Sequence, residues 1–108
     1  MLITLDFDID ATNKDILTSI AAALVKDGYS KGVVGWEKDF SATSDREAVI
    51  NQAKVKLLDI IQQVATQYNL SIKITRIFIT ADVVARKCGT EPMKYGVCRQ
   101  FCNIQIVP

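Results

Sequence analysis

Three aspartates at two-residue spacing, Asp6, Asp8 and Asp10, stand in the opening segment MLITLDFDID. On a strand they point to one side, neighbours roughly 6.6 Å apart. Carboxylates in such a row repel one another, so the row calls for a cation. Mg²⁺ or Mn²⁺, which take oxygen ligands, would answer it. So would Lys73, Arg76, Arg86 or Arg99 from a neighbouring strand, or simply water. The cysteines are a second candidate. Cys88 and Cys98 are equidistant from Met93, so a symmetrical hairpin would set them opposite each other, as a disulfide or a soft-metal pair. Cys102 lies four residues past Cys98, roughly 13 Å along a strand and therefore elsewhere. Three cysteines with no histidine and no C-x-x-C spacing make a poor zinc site, and buried apolar thiols are the plainer reading. Tyr29, Trp36 and Phe40 form the third group, around the least regular segment. A lone tryptophan beside glycines marks a partner contact, the mouth of a ligand pocket, or a core anchor. Lys73, Arg76, Arg86, Lys87, Lys94 and Arg99, interleaved with Phe78, Tyr95 and Phe101, would suit stacked single-stranded RNA.

Charge and composition thin out these options. Thirteen Lys+Arg against twelve Asp+Glu leave a formal charge of +1, which argues against an electrostatic nucleic-acid partner. The chain has no histidine. Ser-His-Asp and Cys-His nucleophiles, His-ligated metals and imidazole acid–base catalysis are therefore unavailable within one chain. With 108 residues, 49% of them hydrophobic, a single domain can bury roughly 65% of its unfolded surface, so stability demands no cofactor. The expectation is one α+β domain over residues 1–108 with no cofactor.

The first ten residues carry three acids and no base, which does not suit the n-region of a secretory leader. The apolar stretch 16–25 is about half the roughly 20 residues a bilayer span needs. An odd cysteine count then points to reduced thiols. A cytoplasmic protein with no membrane association is expected.

The elements that must position these residues follow from periodicity. Ile3, Leu5, Phe7 and Ile9 alternate with Thr4, Asp6, Asp8 and Asp10, the period-two pattern of a half-buried strand. Thr12 or Asn13 caps a helix carrying Ile16, Leu17, Ile20, Ala21, Leu24 and Val25, which Gly28 stops. Residues 31–40 make one short strand or a hairpin turning near Gly35. Ser44 and Glu47 form an S-x-x-E capping signature ahead of a stripe of Ile50, Ala53, Leu57, Ile61, Val64 and Tyr68. That helix, over about 45–68, runs roughly 36 Å, enough to span a sheet.

From Ser71 onward β-branched residues dominate, in two strands and a connection. Their apolar positions fall on both parities. Ile72, Ile74 and Phe78 alternate against Ile77, Ile79, Ala81 and Val83, and Val97 and Phe101 against Ile104 and Ile106. Either a bulge shifts the phase or both faces are covered. In the second case another subunit covers the face opposite the helices, and Phe101, Ile104 and Ile106 are the interface.

Charge is also uneven. Residues 1–48 hold five basic and nine acidic side chains, residues 49–108 eight and three, so the halves pair within one molecule or between copies.

The sequence thus predicts a two-layer α+β sandwich: four or five mostly antiparallel strands, with helices near 13–27 and 45–68 on one face. The arrangement is ferredoxin-like if 31–40 is a hairpin. The leading functional expectation is a non-enzymatic protein-interaction module, homodimeric through its C-terminal strands, whose protein partner the sequence does not name. A binder of small molecules or divalent metal is the alternative, using the aspartate row or a pocket beside Trp36, and a single-stranded RNA module is third.

Overall fold

The structure, a computed structural model, describes residues 1–10, 13–32, 35–40, 45–81 and 97–108. The elements run β1 (Leu2–Asp10), α1 (Lys14–Lys26), β2 (Ser30–Lys31), β3 (Trp36–Asp39), α2 (Arg46–Tyr68), β4 (Ile72–Ala81) and β5 (Val97–Ile106). The five strands form one sheet in the order β2-β3-β1-β4-β5, and every pairing is antiparallel. Both expected helices are present and share a core with one face of the sheet. Among the described residues no helix is long and apolar enough to cross a membrane.

Local chemistry sets the boundaries. Asn13 caps α1, its side chain accepting from the Asp15 amide at 2.9 Å, and the acid at Asp15 complements the positive end of the helix dipole. The helix closes at Gly28, whose φ of 100° is costly for any residue with a Cβ. The α2 cap differs from the S-x-x-E expectation. Asp45 is the cap residue, its side chain accepting from the amide three residues on, at 3.1 Å from Ala48 N, and Glu47 reaches Arg99. Ser44 lies outside the described residues.

The α2 stripe buries Val49, Ile50, Ala53, Leu57, Ile60, Ile61, Val64 and Ala65 in one core cluster with Ile72, Ile74, Ile77 and Ile79 of β4 and Ile3 and Leu5 of β1. Each such aliphatic side chain contributes about 1.5–3 kcal/mol on burial, and α2 packs on β4 and β5 with α1 at its side. Tyr68 closes the end of the helix, its hydroxyl 2.9 Å from Ser19 Oγ on α1.

Strands β2 and β3 pair as the two arms of a hairpin. Lys31 stands opposite Trp36 and Ser30 opposite Glu37, and the Gly32 amide donates to the Gly35 carbonyl across the turn at 2.6 Å. Gly35 presses on β1 so closely that a Cβ there would lie 2.1 Å from the Leu5 carbonyl oxygen. A residue without a side chain is needed to bring the hairpin onto the sheet.

The parity conflict of the C-terminal strands resolves as a bulge. Asp8 stands opposite Arg76 but Ile9 stands opposite Ile74, so Thr75 is an extra residue in β4. Ile72, Ile74, Ile77, Ile79 and Ala81 then all face the helices and are buried, while Arg76 and Phe78 face away. The β4–β5 register passes through this point unshifted, and Asn103, beside it on β5, takes φ 56°. Phe101, Ile104 and Ile106 therefore share the helix-facing side: Ile106 joins the core and the other two pack against it half-buried. The second apolar face that would have needed a subunit does not form among these residues. Val83 lies outside the described residues.

Candidate functional site

The aspartate row is answered from within. On the sheet face turned away from the helices, Arg76 donates from Nη1 to Asp6 Oδ2 at 3.2 Å and from Nη2 to Asp6 Oδ1 at 3.3 Å. Its Nε donates to Asp8 Oδ2 at 2.9 Å. The fork matches one carboxylate bidentately and a second through Nε, geometry that a lysine would not reproduce. Its guanidinium carbon also lies 4.4 Å from the centre of the Phe78 ring. Hydrogen bonds to Asp8 and then Asp6 raise the Arg76 pKa further, so the cation is permanent. Asp10 sits opposite Lys73. Among the described residues no cluster of metal-ligating side chains is present, and the row reads as an ion-paired strand face.

The other basic and aromatic residues do not make one surface. Arg76 and Phe78 face away from the helices, whereas Arg99 and Phe101 face α2, where Arg99 pairs with Glu47 and Lys54 Nζ lies 4.1 Å from the Phe101 ring centre. Arg86, Lys87, Lys94 and Tyr95 lie outside the described residues. Three ion pairs, Arg76 with Asp6 and Asp8 and Arg99 with Glu47, join the basic second half of the chain to its acidic first half within one molecule.

Cys98 is buried and disulfide-bonded, so the expectation of reduced thiols does not hold there. Cys102 is free and exposed. Cys88, the residue the spacing sets against Cys98, lies outside the described residues.

Tyr29, Trp36 and Phe40 divide into two places. Tyr29 and Phe40 embrace Lys38, whose Nζ lies 5.5 and 5.0 Å from their ring centres. The same ammonium donates to the Asp27 carbonyl at 2.6 Å and pairs with its carboxylate at 3.7 Å. Burial, with the Asp27 charge second, pushes the Tyr29 hydroxyl up to about 12. This cluster is a structural clamp between the end of α1 and β3.

Trp36 stands apart, at the start of β3, on the wall of a cavity of about 250 Å³ between α1 and the β1–β3 part of the sheet. Leu5 and Phe7 form its floor, Leu17, Ile20 and Ala21 its helical wall, with Trp36, Gly35 and Lys31 on the hairpin side. Lys31 Nζ lies 5.1 Å from the Trp36 ring centre. Asp6 also borders the space, with its carboxylate held by Arg76 on the opposite face. Lys31, Leu17 and Phe7 were not singled out from the sequence. Pairing across the hairpin would have found Lys31, and Leu17, apolar yet beside the buried Ile16, signals a helix with more apolar surface than its core face uses.

No protein-family model, curated protein or solved structure matches the chain. Its function is read from this geometry.

Proposed function

We propose that the chain is a non-enzymatic protein-interaction module that joins a second copy of itself edge to edge along β5. The observation that carries the reading is the position and make-up of β5: ten residues, VCRQFCNIQI, at the outer edge of the sheet among the described residues. A long edge strand is a ready template for another strand, and proteins that keep such an edge unpaired blunt it with lysine, proline or a very short strand. Here the two edges are unlike. β2 has two residues, whereas β5 has ten, carries a single charge at Arg99 and contains no proline.

Phe101 and Ile104 add a second support. Both are half-buried on the helix side of the edge strand, where the core runs out. A neighbouring β5 would cover their free sides, while antiparallel pairing of two identical strands closes on itself about a two-fold axis and leaves no open end. Asn103, in the left-handed region, breaks the edge in two, and we assign the pairing to the regular arm Arg99–Cys102. In this reading the chain up to β4 has the β-α-β-β-α-β order and the β2-β3-β1-β4 sheet of a ferredoxin-like unit, and β5 is an addition that builds the interface.

Sedimentation velocity on the Cys102→Ser background, which removes any disulfide between copies through that exposed thiol, tests the reading. A dimer is expected at about 100 µM. Gln100→Lys, at an exposed position within that arm, should weaken it by about tenfold or more through like charges across the axis. A protein that stays monomeric, or a Gln100→Lys variant that dimerises as well as its parent, overturns it.

A further inference from the structure

The cavity beside Trp36 lies at the β3 side of the sheet, away from β5, and the dimer leaves it unused. We infer that it is a binding site for a small organic carboxylate with an aromatic or branched apolar body. Its size sets one limit. About 250 Å³ falls below the roughly 300–1,000 Å³ of sites for drug-sized ligands. The occupant is therefore no larger than a single ring with a short acidic arm.

The lining sets the polarity. Phe7, Leu17 and Ala21 border it with apolar side chains, and Leu17 keeps 46% of its surface exposed. Trp36 supplies a half-buried ring face. Lys31 supplies charge. Among the described residues Lys31 pairs with no carboxylate, and its contact is with the Trp36 ring. Asp6 also borders the cavity, with its carboxylate held on the opposite face by both Nη atoms of Arg76. An anion arriving at Lys31 meets a cation that no described carboxylate pairs, and its apolar body displaces water from the floor. A neutral apolar molecule lacks the first term, and a small inorganic anion lacks the second.

Trp36 is the chain's one tryptophan, so its fluorescence reports this site alone. Phenylacetate, phenylacetamide and acetate are titrated into the wild type and into Lys31→Gln, an exposed substitution, with circular dichroism confirming the fold. Phenylacetate should give a saturable change, with phenylacetamide and acetate each at least about tenfold weaker. Lys31→Gln should weaken phenylacetate by about tenfold and leave phenylacetamide unchanged. No saturable change with phenylacetate up to about 10 mM, or equal binding of acid and amide, overturns the assignment. Because Lys31 is remote from β5, the oligomeric state should not respond to either outcome.

Discussion

Arg76 carries the clearest residue-level account, because a row of acids that looks like a metal site from the sequence is held instead by one side chain. Both Arg76 and Asp6 keep less than a third of their side-chain surface in water, so their coupling exceeds that of a fully solvated pair. Arg76→Ala should destabilise the fold by about 1–2 kcal/mol, and a double-mutant cycle with Asp6→Asn should return about 1 kcal/mol of coupling. Urea denaturation gives both numbers, and zero coupling would show that the fork is ornamental. The row is then free for a metal. Mg²⁺ should raise the melting temperature of Arg76→Ala more than that of the wild type. Tyr29 makes a pH prediction. Its hydroxyl ionises near 10 when unfolded and at about 12 in the fold. The neutral form is the one the fold prefers, so this contribution is whole below pH 10 and is lost as pH rises through 12. Tyr29→Phe should flatten the stability profile between pH 10 and 12, whatever its effect at pH 7.

The bulge at Thr75 and the turn of φ at Asn103 act together on β4 and β5, returning the apolar residues beyond them to the helix side. Asn103→Val should cost about 1–2 kcal/mol, since a β-branched side chain is poorly suited to φ 56°, whereas Asn103→Gly should be nearly neutral. Chemical denaturation distinguishes them, and equal costs would mean that the backbone angle is not what selects asparagine. The same physics governs which elements are legible in the sequence. The alternation of β1 and the stripe of α2 are plain in the sequence because each has one buried face, and burial writes itself into period two or 3.6. In β4 and β5 the break of phase between Ile74 and Ile77 is visible, but its cause is not. A bulge and a doubly covered strand put apolar residues on both parities alike, and only the register against β1 separates them. The candidate site was legible in part for a similar reason. Trp36 declared itself by type, yet Phe40, four residues along, lies at the far end of a short strand, and Lys31 becomes its neighbour only once the hairpin has formed.

Charge across the whole molecule decides how two copies can meet. The acidic first half and basic second half invite a head-to-tail pair, in which one copy's acids face the other's bases. The observed ion pairs use those charges inside one chain, Asp6 and Asp8 with Arg76 and Glu47 with Arg99, and the total is only +1. A β5–β5 pair would instead rest on backbone hydrogen bonds and on covering Phe101 and Ile104, with Arg99 as its one charge. These two assemblies respond oppositely to salt. At about 0.05 M the Debye length is roughly 14 Å and at 0.5 M roughly 4 Å, so an association held by opposed halves should weaken steeply over that range. The edge-paired dimer should change its dissociation constant by less than about threefold, because hydrogen bonding and apolar burial are little screened. Thermal stability should fall slightly over the same range as the exposed Glu47–Arg99 pair is screened. Sedimentation at both salt concentrations reads the first and calorimetry the second. A dimer that dissolves at high salt while the fold persists would move the interface from β5 to the charged surfaces and leave Phe101 and Ile104 as the rim of a monomer's core.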